Sequence, residues 1–155
     1  MSLTLQQYGV VPVIQMQGDE EEDTRLLRAL LEDATGFMSG FRWCKAIRSR
    51  HFGMGVGGLF AVFLFEIENA ADPGDALLWV ISGDLPPAYL VLEGGSTDPA
   101  QALATYVDLM QAWADAAGQG ASVADLIPVN VAPTQDNARA LGSRLAYLRE
   151  HFLAA

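Results

Sequence analysis

An unbroken apolar run from Leu59 to Phe65 constrains this chain more than any other feature of its sequence. The run shows no polar alternation, so it predicts a central strand that is covered on both faces. Gly57-Gly58 precedes the run and Pro73-Gly74 follows it, and both pairs are typical of turns. A chain with such a strand needs further strands beside it and other layers above and below it.

Four strand-like segments follow one another along the chain, separated by short gaps rich in Gly, Pro, Asn and Asp. The segments are Trp43 to Arg50, Leu59 to Glu68, Ala76 to Ser82 and Ala88 to Leu92. Short gaps of this kind predict antiparallel neighbours, and therefore a meander. Ahead of them, the Val10 to Ile14 stretch contains Pro12, which is typical of an edge strand or of a strap over the body.

Three segments have helical spacing. The first follows the acidic run Asp19 to Asp23, the second begins at Asp98-Pro99, and Thr134 caps the third. Each has one apolar face, with these residues: Leu27, Leu30, Leu31, Ala34 and Met38; then Leu103, Tyr106, Val107, Met110, Trp113, Ala114 and Ala117; then Ala138, Leu141, Leu145, Leu148 and Phe152. We expect one α+β domain over residues 1–155, in the order α-β-β-β-β-α-α, with residues 1–18 as an N-terminal strap or edge strand.

The charge is distributed very unevenly. The net charge is −10, and between Arg50 and Arg139 the chain has no Lys or Arg but eleven Asp and Glu residues. This excess of carboxylates argues against a nucleic-acid partner. The acidic run Asp19 to Asp23 is interpreted either as a docking tail or cation site, or as negative charge suited to a helix N-terminus.

The segment from Arg42 to His51 is the only one that could face an anion, although it could equally pair with the chain's own carboxylates. Cys44 and His51 lie in it and raise the possibility of a nucleophilic thiol. In a regular strand their odd offset places them on opposite faces, which argues against catalysis. We predict no catalytic constellation, no metal site and no cofactor.

Two loops are candidate sites. The Gly53 to Gly58 segment lacks the following helix and the Lys-Ser/Thr pair of a phosphate loop, so it is interpreted as a flexible hairpin loop that could cover a site. The Asp84 to Tyr89 turn is stiffened by two prolines, so it can present a binding surface or simply be a well-specified turn.

A single cysteine excludes an internal disulfide framework. The N-terminal residues lack the basic start of a signal peptide, and the longest apolar run is too short to span a bilayer. We therefore expect a cytoplasmic protein without a membrane partner.

Five short segments carry a resemblance to a known family: Trp43-Cys44-Lys45, Gly57-Gly58, Phe63-Leu64-Phe65, the segment Gly83 to Tyr89, and Ile127-Pro128-Val129-Asn130-Val131. In these segments the chain resembles a small family of bacterial proteins of unknown function. The resemblance implies a bacterial, cytoplasmic protein and supplies no catalytic residue.

Two functional hypotheses follow. The first is a non-enzymatic, acidic protein-interaction module of the immunity or adaptor kind, which would bind a protein partner or itself, with a homodimer through the sheet as one form. The alternative is a small-molecule-binding protein or enzyme with a site near the Gly53–Gly58 loop and the Asp84–Tyr89 turn. The residues expected to bind in either case are Trp43, Lys45, Arg48, His51, Asp84 and Tyr89.

Overall fold

A computed structural model describes residues 5, 7–92 and 97–153 of the 155-residue chain. The chain divides into two compact units, residues 1–102 and 103–155. The first unit contains a five-stranded antiparallel sheet and a long helix, and the second is helical. The predicted α+β class is therefore confirmed.

The five strands lie side by side in sequence order, β1 to β5. Their bounds are Val11–Pro12 for β1, Cys44–Val56 for β2, Phe60–Asn69 for β3, Leu77–Gly83 for β4 and Ala88–Val91 for β5. The predicted meander is confirmed as β2 to β5, but the expected count of four strands is too low by one. The additional strand, β1, is the edge strand that the Val10 to Ile14 stretch predicted as an alternative to a strap; it pairs with β2 at Phe52 and His51 and precedes the first long helix. It is only two residues long and sits at the sheet edge, the position where proline, which has no N–H to donate, is tolerated.

The Gly53–Gly58 segment is not the flexible loop that its glycines predicted. Residues 53–56 belong to β2, and the turn is confined to residues 57–59, where the Leu59 N–H bonds the Val56 carbonyl at 3.0 Å. The segment stays extended because Met54, Gly55 and Val56 pair in register with Val62, Ala61 and Phe60 of β3. A mobile flap over a site is therefore absent here.

Helix α1 (Glu21–Ser39) packs on one face of the sheet. Its buried residues are those of the predicted apolar stripe, and their partners on β3 include Ala61, Phe63, Phe65 and Ile67. The intervening β3 residues Phe60, Val62 and Leu64 point to the other face, and they are also fully buried within this chain.

In the second unit, α2 (Pro99–Gly118) and α3 (Gln135–Leu148) carry the remaining helical stripes, and residues Arg149–Leu153 continue α3 as a π-turn. Both predicted starts are confirmed, since Asp98 accepts from the Gln101 N–H at 2.8 Å and Thr134 from the Asn137 N–H at 3.1 Å. Arg149 donates to Gln111 at 2.8 Å and so joins the two helices. Within the described ranges, no helix combines the length and apolarity that crossing a bilayer requires.

Candidate functional site

Strand β2 does not have a regular register, and two of its three irregularities fall on charged residues. Its pairing with β3 shifts between Cys44 and Ala46, between Ile47 and Ser49, and between Phe52 and Met54. Lys45, Arg48 and Gly53 are the extra residues at these shifts. Bulges and charged side chains both discourage another strand from adding to an edge, so the part of β2 not paired with β1 is protected in two ways.

The basic segment pairs in part with the protein's own carboxylates. Arg48 bonds Glu68 at 2.8 Å across the β2–β3 pair, and Arg50 lies 3.6 Å from Glu32 of α1. Both contacts match the simpler interpretation of this segment. In contrast, Arg42 and Lys45 are exposed, and no carboxylate of the described residues lies within ion-pair distance of either.

Two of the predicted binding residues meet in an aromatic cluster. Trp43 and Tyr89 have ring centroids 5.1 Å apart, and Phe41 stacks on Trp43 at 4.9 Å. Phe37, at the end of α1, completes the cluster by an edge contact with Phe41. All four rings are half-buried. We call Phe37, Phe41, Arg42, Trp43, Lys45 and Tyr89 the basic–aromatic end.

Cys44 and His51 do not form a nucleophile–base pair. Cys44 opposes Asn69 and His51 opposes Leu64, which places them on opposite faces, well apart along β2. The two bulges between them shorten the effective offset from seven positions to five, which is still odd, so the parity argument remains correct in an irregular strand. Burial raises the pKa of the Cys44 thiol and so disfavours the thiolate that catalysis needs.

His51 is buried, and its Nδ1 has no hydrogen-bond partner among the described residues. It lies between Leu64 of β3 and Pro12 of β1. Neither neighbour offers a side-chain hydrogen bond. His51 is therefore buried beside two apolar cross-strand neighbours, five register positions along β3 from the partner of Cys44.

Asp84 lies where the β4–β5 turn contacts the β2–β3 turn. Its backbone N–H donates to the Leu59 carbonyl at 2.9 Å, so the predicted neighbourhood of the two turns is real. The reactive groups Cys44 and Lys45 are at the opposite end of β2, beside the last residue of β3. The six predicted binding residues are thus divided: Trp43, Lys45, Arg48 and Tyr89 towards one end, His51 in the interior, and Asp84 at the turns.

A large open groove lies at the N-terminal end of α1. Its cavity volume is about 1040 Å³, and residues 14–22 with Thr24, Arg25 and Arg28 line it. Four consecutive carboxylates, Asp19 to Glu22, contribute to the lining, against two arginines. A hydrogen bond from Arg25 lowers the pKa of Glu22, which favours its ionised form. We call this feature the acidic groove.

The acidic groove also contains an exposed apolar side chain. Ile14 is 84% exposed, the highest value among the large apolar residues described as exposed, while Met16 beside it is buried in the core. Ile14 lies in a short 3-10 turn, Val13–Gln15, where the sequence had predicted a continued extended stretch. The turn places Ile14 outward beside the carboxylates. A groove with one apolar contact and an acidic rim suits a basic segment with an apolar anchor.

The acidic run predicted a docking tail or cation site only as an alternative, and it did not predict a groove. The acidic run does suit a helix N-terminus, since Glu21, Glu22 and Asp23 occupy the first turn of α1. Nothing in the sequence showed that residues 14–18 would turn back beside that run. The acidic run and the apolar Val10 to Ile14 stretch were the available signals, and neither is specific for a groove.

No protein-family model matches the chain, and neither the curated proteins nor the solved structures include a significant match to it. The resemblance to a bacterial family therefore stays a prediction. Within the described ranges, no group of three or more His, Cys, Asp and Glu side chains is placed to hold a metal ion.

Proposed function

We propose that this protein is a non-enzymatic interaction module that binds a basic segment of a protein partner in its acidic groove. The groove carries the proposal because it combines four consecutive carboxylates with an exposed Ile14 in one open cavity. Carboxylates steer a basic partner and speed its approach, and an apolar contact adds affinity that salt does not screen.

Hydrogen bonds and core packing hold the backbone of residues 16–19, which line the groove, and a fixed backbone suits a docking surface. Gly18 N–H donates to Thr24 Oγ1 at 2.9 Å, and Asp19 N–H donates to the Asp23 carboxylate at 3.0 Å. Met16 anchors the same segment in the core. A partner would therefore meet a surface that needs little ordering on binding, and preorganisation reduces the free-energy cost of association.

A labelled basic peptide tests the groove directly. Fluorescence anisotropy with a fluorescein-labelled Lys-Lys-Trp-Lys-Lys peptide should show binding that weakens as salt is raised. Glu20→Gln with Glu21→Gln should weaken binding by roughly two- to thirtyfold, because each exposed charge contact contributes about 0.2–1 kcal/mol. Ile14→Ser should weaken it further and leave the salt dependence in place.

The matched control is Asp33→Asn with Asp125→Asn, which removes two exposed carboxylates that do not line the groove. Equal losses in the control and the groove variant would show that net charge acts without a site, and the proposal would fail. Binding that ignores ionic strength would contradict it too. Capture of partners from the protein's own cells at low and moderate salt would then identify the biological ligand.

The small-molecule alternative has less support. Cys44 carries a raised pKa, and it lies on the face opposite His51 and at the other end of β2 from the turns. We keep the cytoplasm as the proposed compartment, because a lone thiol suits a reducing environment. Immunity-like and adaptor-like roles are both compatible with a groove that takes a basic segment.

A further inference from the structure

We infer that the acidic groove binds the basic–aromatic end of a second copy of this chain, so that copies associate head to tail. This inference rests on the proposed function, because it names the partner of the same groove. The groove suits a basic segment with an apolar anchor, and the segment Arg42-Trp43-Cys44-Lys45 is such a segment. Two exposed cations flank a half-buried tryptophan in it.

The two surfaces lie at opposite ends of the first unit. The groove surrounds the start of α1, where Asp23 also contacts Gly57 in the β2–β3 turn. The basic–aromatic end includes Phe37 near the end of α1 and the residues that lead into β2. The 19 residues of α1 span about 28 Å at a rise of 1.5 Å per residue, so the carboxylates at its start lie far from the residues that follow its end. One copy therefore cannot place its own Arg42 and Lys45 in its own groove.

The cations at this end are available to a partner. Arg48 and Arg50 already pair with Glu68 and Glu32, whereas Arg42 and Lys45 have no carboxylate of the described residues in ion-pair distance. The carboxylates Asp19 to Glu21 of a second copy supply the missing partners.

Charge also determines which arrangement the two copies take. A symmetric contact between two basic–aromatic ends would set Arg42 and Lys45 against each other, and a contact between two grooves would set carboxylates against carboxylates. The bulged and charged edge of β2 opposes strand pairing between copies. Only the contact between unlike ends is complementary, and a heterologous contact of this kind builds rings or open chains. The net repulsion between copies is screened over about 8 Å at physiological salt, so the local contact dominates there.

Variants with one altered end test this arrangement. Ile14→Lys with Glu21→Gln disables the groove, and Arg42→Glu with Lys45→Glu disables the other end; all four residues are exposed. Light scattering over a concentration series at physiological salt should show association of the unaltered protein and a monomer for each variant alone. An equimolar mixture of the two variants should form a two-chain species and nothing larger, because each variant keeps one working end.

Circular dichroism melting of each variant checks that it is folded, and Asp33→Asn with Asp125→Asn serves again as the control, expected to associate like the unaltered protein. A monomer at every concentration would overturn the inference, as would a dimer that persists in a variant with both ends altered, or a mixture that stays monomeric. If the unaltered protein is monomeric but the labelled basic peptide still binds the groove, the second-copy partner is wrong and the proposed function stands. If the peptide does not bind, the proposed function itself fails.

Discussion

The carboxylate of Asp23 accepts a hydrogen bond from the backbone N–H of Gly57, which lies 34 residues further along the chain. The same carboxylate accepts from the Asp19 N–H. The Asp23 side chain thus connects the segment that leads into α1 with the β2–β3 turn. Because Asp19 lines the acidic groove, this contact holds one side of the groove against the sheet. A side chain at position 57 would meet this carboxylate, since an added Cβ would lie 2.5 Å from Asp23 Oδ1.

Replacing Asp23 by alanine should therefore destabilise the protein. Asp23→Ala leaves two backbone N–H groups without their acceptor, and we expect the free energy of unfolding to fall by about 1–3 kcal/mol. Urea denaturation followed by circular dichroism measures it. Asp33→Ala, an exposed aspartate on the same helix, should change stability by less than about 0.5 kcal/mol. Equal effects at the two positions would mean that the contact with Gly57 contributes nothing.

The interior of the fold was predictable from periodicity, whereas the surfaces were not. The stripe from Leu27 to Met38 and the doubly covered Leu59–Phe65 run are local patterns that depend only on spacing. The Asp23–Gly57 hydrogen bond joins residues that are far apart in the sequence, so no local pattern predicts it. The bulges at Lys45 and Arg48 arise from the register with β3, and the position of Ile14 depends on a single short turn. The candidate sites lie where such long-range details decide the geometry.

Two glycines give opposite predictions for the same substitution. Gly83 has φ +151°, and a Cβ there would lie 2.3 Å from the Leu59 carbonyl oxygen, so Gly83→Ala forces the two turns of the sheet apart. We expect a loss of about 3 kcal/mol or more. Gly142 lies inside α3 with open space around it, and Gly142→Ala should add about 0.5–1 kcal/mol. Chemical denaturation of both variants checks the pair, and a stable Gly83→Ala protein would show that the turns do not approach so closely.

Removing the imidazole of His51 should not destabilise the protein. The buried Nδ1 has no partner among the described residues, which costs about 1–3 kcal/mol in desolvation, and His51→Leu removes this nitrogen with a side chain of similar volume. We expect the free energy of unfolding to be unchanged or higher, as measured by urea denaturation. His51→Ala is the comparison, because it removes the same nitrogen but leaves a cavity and should destabilise. A clear loss of stability in the leucine variant would show that His51 has a polar contact that the described residues do not provide.

The reactivity of Cys44 separates the interaction hypothesis from the enzyme alternative. Burial raises the pKa of this thiol, so at neutral pH the folded protein should react with iodoacetamide more slowly than glutathione and more slowly than the same protein unfolded in urea. The raised pKa of Cys44 also predicts how stability depends on pH, because the folded state keeps a thiol proton that the unfolded state releases. The contribution of Cys44 to the free energy of unfolding is therefore complete below the ordinary thiol pKa and is lost as the pH rises through the raised pKa of the folded state. Because Cys44 is the only cysteine, mass spectrometry of the intact protein follows the reaction without ambiguity. A folded protein that reacts faster than glutathione would instead indicate a stabilised thiolate beside Lys45, and the enzyme alternative would regain its strongest residue.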